Sequence, residues 1–172
     1  AFFDNPDAGL EYEARLDQVM DRLAAVQKPT ISLIDGFALG GGLLLALSCD
    51  LRVATPESKL SVPCVRLGNC LSMANYAKLI GLIGAARTLD LVYTGRLIEA
   101  AEAQVMGLLN TVIPRAEIKA YVMDLADTIS QSAPITVRIT KEAVRRLSSG
   151  STAGGDLIQA CYTSLDFQEG IA

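Results

Sequence analysis

The first part of the chain alternates between helical and extended spacing of its apolar side chains. Residues 10–27 are rich in charge, and their apolar side chains recur every three or four positions: Tyr12, Leu16, Val19, Met20 and Leu23. This spacing predicts a helix with one apolar face, ended by the Lys28-Pro29 pair. The segments 30–35, 50–55 and 59–63 are short and apolar or β-branched, and we predict a strand for each.

From Ser72 onward the spacing is almost wholly helical. Three segments end at a glycine, as helices often do, namely 72–81, 84–95 and 99–107. The remaining elements are predicted in this order: a strand over 108–114, a helix over 115–132, a helix from Pro134 to about Leu147, a flexible joint over 148–155 and a helix over about 156–168. Strands alternate with helices first and helices dominate later, which predicts an α/β fold with an α-helical C-terminal part.

The segment GFALGGGLLLALSCD, at positions 36–50, places three glycines directly before a run of leucines. It is too short to span a membrane. It does not match G-x-G-x-x-G, because residue 45 is a leucine, and no G-K-[ST] follows as in a P-loop. A tight strand-to-helix turn, in which no side chain fits, would explain the glycines. So would a turn whose unpaired helix N–H groups stabilise a developing oxyanion, and the pattern leaves both interpretations open.

Composition narrows the classes of function. The 172 residues are 51% hydrophobic with a net charge of −4, which suits one globular domain. The absence of histidine excludes a Ser-His-Asp triad and a histidine metal site within this chain, and we expect no metal. The cysteines lack the spacing of a disulfide framework, so we expect free thiols and a cytoplasmic location. Without a basic block, we expect neither nucleic acid nor membrane as a partner.

Two long segments carry a family resemblance. KPTISLIDGFALGGGLLLALSCDLRVAT is similar to the pattern K-P-x-I-A-x-x-x-G-x-x-x-G-G-G-x-x-L-A-x-x-C-D, and GAARTLDLVYTGRLIEAAEAQVMGLLNTVIP to the glycine- and alanine-rich pattern that follows it. Both patterns are typical of the enoyl-CoA hydratase/isomerase (crotonase) superfamily, which the chain therefore resembles. The resemblance implies a ββα-spiral core over 1–114, N-terminally incomplete, and a C-terminal helical trimerisation region over 115–172. It also implies a coenzyme A thioester as substrate, no tightly bound cofactor, and a homotrimer or dimer of trimers.

The resemblance also implies where the site residues lie. The two backbone N–H groups that hold the thioester oxygen fall on Gly41 and, in the diverged loop AFFDNPD, on Asp4. Substrate contacts are expected from six further residues: Phe2, Phe3, Leu39, Gly40, Asn69 and Ser72. Ser72 is equally well suited to cap a helix N-terminus.

The two positions at which the family's hydratases carry glutamate hold Leu44 and Cys64 here. Leucine cannot transfer a proton, whereas cysteine could act as a base if its thiol pKa fell well below about 8.5. Cys64 is otherwise explained as a small packing residue. The sequence therefore favours double-bond isomerisation, or another enolate reaction of acyl-CoA metabolism, over hydration. The alternative is a non-catalytic binding or structural protein with the same fold.

A serine hydrolase is a third, weaker hypothesis. Ser58 or Ser61 would act with Lys59, although neighbouring strand residues point to opposite faces, which disfavours the Ser58–Lys59 pair. Of the charged residues near the motif, Asp50 is expected to be a structural acid. Arg66 is expected at the surface, or else in contact with a charged acyl group.

Overall fold

The computed structural model describes residue 5 and residues 7–171. In chain order the strands are β1 (Ile31–Ile34), β2 (Phe37–Leu39), β3 (Leu51–Ala54), β4 (Lys59–Ser61), β5 (Ile98–Glu99) and β6 (Thr111–Val112). The helices are α1 (Asp7–Ala24), α2 (Gly41–Leu47), α3 (Cys64–Leu67), α4 (Met73–Thr94), α5 (Ala100–Met106), α6 (Ile118–Ser130), α7 (Pro134–Ser148), α8 (Gly155–Tyr162) and α9 (Leu165–Ile171).

The strands form two small sheets that the chain visits in turn. One sheet has the order β1-β3-β6 and is parallel throughout, and the other has the order β2-β4-β5, with β5 antiparallel. The chain passes from β1 to β2 through Gly36, whose φ of +107° lies in the region that favours glycine. The succession β1-β2-α2, then β3-β4-α3, repeats a ββα unit, and the glycine turn joins the second strand of the first unit to its helix.

The hydrophobic core lies between the two sheets and the helices α2, α4 and α5. Its fully buried large side chains are Leu43, Leu60, Leu79, Leu91, Ile98 and Leu108. Each such side chain contributes about 1.5–3 kcal/mol through its removal from water. The leucines of the glycine-leucine motif therefore fix α2 in the core, and its first turn is positioned by that packing. Within residues 7–171, no helix is both long and apolar enough to cross a membrane.

The predicted α/β architecture with a helical C-terminal part is confirmed, and several boundaries differ. The helix predicted over 10–27 runs from Asp7 to Ala24, and of its apolar residues only Met20 is buried. The two helices predicted over 72–81 and 84–95 are present within α4, which is interrupted at Gly84, where the backbone is non-helical with a φ of +78°. The helix predicted over 156–168 is two helices, because Ser164 Oγ accepts a 3.1 Å hydrogen bond from the Phe167 N–H and starts α9.

Candidate active site

The glycine turn joins β2 to α2, and its first glycine has a conformational reason to be there. Gly40 has a φ of +49°, which a residue with a side chain rarely adopts. Its N–H donates a 2.9 Å hydrogen bond to the Ser61 carbonyl, and its carbonyl accepts from the Leu44 N–H at 3.0 Å. Gly40 thus holds the end of β2 against β4 and starts α2. Its own N–H is therefore engaged, so the predicted substrate contact at Gly40 would have to use other atoms.

Gly41, the first residue of α2, offers a free backbone donor. Among the described residues, its N–H donates no hydrogen bond, which is expected of the first turn of a helix. A Cβ atom built on Gly41 or Gly42 would meet no heavy atom of the described residues within 4 Å, apart from its chain neighbours and the backbone of α2. Tight packing against the described residues therefore explains neither glycine. The positive end of the peptide dipoles of α2 also lies here.

The two positions that lack glutamate are both buried. Leu44 is 2% exposed and Cys64, at the start of α3, is 6% exposed. Burial raises the pKa of the Cys64 thiol above its usual range, and the hydrogen bond from the Val65 N–H only partly opposes this. A thiol with a raised pKa is a poor base at neutral pH, so the structure favours the packing interpretation of Cys64.

The other predicted substrate contacts are distributed around this turn. Leu39 is the last residue of β2, paired with Ser61, and it is partly exposed. Asn69 is exposed, and its N–H donates to the Cys64 carbonyl at 3.2 Å. Phe2, Phe3 and Asp4 lie outside the described residues, so the second oxyanion donor stays a prediction.

Ser72 both caps α4 and reaches a carboxylate on another helix, which the sequence did not indicate. Its hydroxyl oxygen accepts from the Asn75 N–H at 3.3 Å, and its O–H donates to Asp17 Oδ1 at 2.8 Å. The Asn75 side-chain amide donates to the same Asp17 oxygen at 3.1 Å and to Ser72 Oγ at 3.0 Å. These hydrogen bonds link Asp17, on α1, to the first turn of α4. Its separation of 55 residues from Ser72 explains why local spacing could not predict the contact.

The serine hydrolase hypothesis finds no support in the hydrogen bonds. Ser58 Oγ donates to the last carbonyl of β1 at 3.0 Å, and Lys59 forms an ion pair with Glu99 across the sheet. Ser61 Oγ donates to the C-cap carbonyl of α4 at 3.2 Å, and Arg66 Nε donates to the same carbonyl at 3.0 Å. Each candidate serine is thus bonded to the backbone, and Lys59 is bonded to a carboxylate.

The described residues do not meet the requirements of a metal site, and two open clefts lie among them. Within residues 5 and 7–171, no three cysteine or acidic side chains are grouped so that they could hold a metal ion. All four cysteines are free. Gly42 borders an open cleft of about 460 Å³ that runs along β1, β2 and α2, and a second cleft of about 480 Å³ lies between α1, α7 and α8. Neither cleft is lined by Gly41, Leu44, Cys64 or Ser72.

Comparison with known proteins agrees with this architecture. The family model described as enoyl-CoA hydratase/isomerase matches residues 5–171. The chain is 37% identical over 156 residues to the Mycobacterium bovis protein named "Probable enoyl-CoA hydratase echA8", with 88% of this chain and 61% of that protein covered. It is 35% identical over 158 residues to the enoyl-CoA isomerase/hydratase fer4 of Mycosarcoma maydis, with 91% and 58% covered.

Two solved structures have a fold similar to that of this chain. The enoyl-CoA hydratase of Bacillus anthracis superposes with a TM-score of 0.88 at 30% identity, and the alignment covers 97% of this chain and 67% of that one. A structure of methylmalonyl CoA decarboxylase superposes with a TM-score of 0.76 at 29% identity, covering 91% of this chain and 64% of that one. The chain spans about three fifths of the length of the two curated relatives named above.

Proposed function

The chain belongs to the enoyl-CoA hydratase/isomerase family and has its crotonase fold, and from this premise we propose that it binds an acyl-CoA thioester and stabilises the enolate of that thioester at Gly41. The observation that carries the proposal is the Gly41 N–H at the start of α2, which donates no hydrogen bond among the described residues. A thioester oxygen gains negative charge as a proton leaves C2. A fixed backbone donor stabilises that charge more than it stabilises the neutral ground state.

Isomerisation of a 3-enoyl-CoA to a 2-enoyl-CoA is the reaction we favour over hydration. Hydration needs one group to activate water and another to handle the proton at C2. The two expected places for such groups hold Leu44 and Cys64, which are 2% and 6% exposed. Isomerisation requires only that one acid–base group carry a proton from C2 to C4. The buried apolar pair therefore supports a reaction that proceeds through the same enolate without activating water.

The proposed role of Gly41 is tested by removing its N–H. Proline is tolerated in the first turn of a helix and lacks the N–H, so we expect Gly41→Pro to lower kcat/KM for 3-hexenoyl-CoA by about 100-fold or more. Gly41→Ala is the matched control, because it keeps the N–H and its Cβ meets no atom of the described chain. A folded Gly41→Pro protein with wild-type kcat/KM would refute the assignment.

A non-catalytic acyl-CoA-binding protein is the second candidate function. Two observations favour it: the first glutamate position holds Leu44, which cannot transfer a proton, and burial raises the pKa of Cys64 at the second. If this candidate is correct, calorimetry detects binding of a CoA thioester. Neither 2-enoyl-CoA nor 3-enoyl-CoA is then converted to product at a detectable rate. Turnover of either thioester would exclude it.

We also propose that the protein acts in the cytoplasm as a homotrimer or dimer of trimers. None of the residues of α7, α8 or α9 is buried, and large apolar side chains there are exposed: Val144, Leu147, Ile158, Tyr162, Leu165 and Ile171. Such a surface is expected to pack against another subunit. Light scattering coupled to gel filtration measures the assembly, and a monomer at micromolar concentration would contradict it.

A further inference from the structure

We propose that the cleft between the end of α1, α7 and α8 binds a small phosphate monoester, at a site separate from the glycine turn. The cleft has a volume of about 480 Å³, which lies in the range of sites that hold small molecules. Six charged side chains line it, four cations and two carboxylates: Arg138, Lys141, Arg145, Arg146, Glu142 and Asp156. The resulting excess of positive charge suits a phosphate monoester, which is close to a dianion at neutral pH.

Hydrogen bonds at both ends of the cleft hold its walls together. At one end, Lys141 Nζ of α7 donates to the Lys28 carbonyl at 3.1 Å, a few residues after α1 ends. At the other end, the Arg146 guanidinium of α7 donates to both carboxylate oxygens of Asp156, in the first turn of α8, at 2.7 and 2.8 Å. The three walls are therefore connected, and a ligand between them meets a fixed arrangement of side chains.

The two carboxylates of the lining are fully engaged by two of its arginines. Glu142 accepts from Arg145 Nε and Nη2 at 2.7 Å each, and from Arg146 Nε at 2.8 Å. Asp156 accepts from Arg146 as well. These ion pairs neutralise the end of the cleft at which α7 meets the start of α8. The opposite end, near Arg138, has no carboxylate bonded to its arginine among the described residues.

Arg138 carries the positive charge that these pairs leave uncompensated. Within the part of the chain that the structure describes, Arg138 forms neither a hydrogen bond nor an ion pair. Lys141 is its neighbour on the same face of α7, and the Lys141 ammonium donates to Asp50 Oδ2 and to the Lys28 carbonyl, which leaves one N–H. Gln27 precedes Lys28 and also lines the cleft. Arginine, ammonium and amide donors thus meet at this end.

The donors and the remaining lining together indicate the class of ligand. An arginine fork binds two phosphate oxygens at once, and a lysine adds a point charge beside it. The rest of the lining is small or apolar: Ala24, Ala25, Val26, Ile139, Leu157 and Ala160. A monoester with a compact apolar group would place its phosphate on Arg138 and bury that group against these side chains.

The cleft lies on the side of α7 and α8 opposite to the apolar surface proposed above for subunit contact. At about 100° of rotation per residue, Val144 and Leu147 of α7 lie about 140–160° from the mean direction of the cleft-lining side chains of that helix. Ile158 and Tyr162 lie on the far side of α8 in the same way. A subunit contact through those apolar side chains would therefore leave the cleft open to a ligand.

The test measures the binding of n-hexyl phosphate to wild type, Arg138→Gln and Arg15→Gln by isothermal titration calorimetry. We expect saturable binding to wild type and an affinity at least about tenfold lower for Arg138→Gln, because a charged hydrogen-bond partner is lost. Arg15→Gln should match wild type, since Arg15 is exposed on α1 and does not line the cleft. Arg138 has no partner to lose among the described residues, so its replacement should leave the circular dichroism spectrum unchanged.

Three further compounds define the chemistry of the site. Inorganic phosphate should bind more weakly than n-hexyl phosphate because it lacks the apolar group, and hexanoate should bind more weakly because it carries less charge. Coenzyme A at saturating concentration should not displace n-hexyl phosphate, because the cleft is separate from the glycine turn.

Several results would overturn the proposal. Wild type that does not bind n-hexyl phosphate, or that binds it no more tightly than Arg138→Gln does, would remove the site. Hexanoate that binds as tightly as n-hexyl phosphate would contradict the assignment of a phosphate. Displacement by coenzyme A would show that the cleft belongs to the thioester site and is not a second one.

Discussion

Lys141 Nζ of α7 lies 2.7 Å from Asp50 Oδ2, the carboxylate that ends the glycine-leucine motif. The same oxygen accepts from the Thr30 N–H at 2.7 Å and from the Thr30 hydroxyl at 3.0 Å, just before β1. Lys141 also donates to the Lys28 carbonyl at 3.1 Å. Asp50 therefore joins the start of two parallel strands to a C-terminal helix, as the sequence indicated for a structural acid.

Removing the charge of Lys141 should weaken the contact between α7 and Asp50 and so lower the stability of the protein. The Lys141 side chain is 13% exposed, so its ion pair is less screened than one at the surface. We expect Lys141→Met to lower the free energy of unfolding by about 1–2 kcal/mol, measured by urea denaturation. Lys119→Met is the control, because Lys119 is exposed and has no ion pair among the described residues. Equal stability of the two variants would contradict the role given to the Lys141–Asp50 pair.

The acidic side chain of Glu142 should make the stability of α7 depend on pH. Hydrogen bonds from Arg145, and then from Arg146, lower the pKa of Glu142 to about 2, against about 4.3 in an unfolded chain. A carboxyl with a lowered pKa adds stability above the unfolded pKa, and this is lost as the pH falls through the folded pKa.

The corresponding measurement is the melting temperature of wild type and Glu142→Gln between about pH 7 and pH 2. The advantage of wild type should be constant down to about pH 5 and disappear towards pH 2. Glu57→Gln, at an exposed glutamate without an ion pair among the described residues, should show no such change. A wild-type advantage that grew on acidification would contradict the sign of the pKa shift.

The thiols of Cys64 and Cys70 should differ sharply in reactivity. Cys64 is buried and its pKa is raised by burial, whereas Cys70 is exposed. We expect iodoacetamide at pH 8 to modify Cys70 at least about 100-fold faster than Cys64 in the native protein, because modification of Cys64 requires opening of the structure. In urea the two rates should converge. If mass spectrometry detected rapid modification of Cys64 in the native protein, Cys64 would again be a candidate for the catalytic base.

Sequence patterns predicted the longer elements of this fold and also the short strands β4 and β6, because each lies within a longer apolar or β-branched segment. They missed the strands β2 and β5, of three and two residues, and the four-residue helix α3, which offer too few positions for periodicity to be recognised. The interruption of α4 at Gly84 agrees with the two glycine-ended helices that the sequence predicted.

The candidate site was predictable only where it lies within one motif. Gly41 was identified through the family resemblance of the glycine segment, and its role as an oxyanion donor stays a prediction. The Asp17–Ser72 contact joins residues that lie far apart in sequence, and on α1 Asp17 is one of several carboxylates on a charged helix. Only its hydrogen bonds with Ser72 and Asn75 distinguish Asp17 from the others, and no spacing rule contains that information.

We propose that this protein stabilises a thioester enolate at Gly41 and that it isomerises its substrate rather than hydrating it. The most direct measurement is the ratio of two wild-type kcat/KM values, for isomerisation of 3-hexenoyl-CoA and for hydration of crotonyl-CoA, under the same conditions. With Leu44 and Cys64 at the glutamate positions, the first value should exceed the second by at least about 100-fold. Hydration as fast as isomerisation, or faster, would contradict the account.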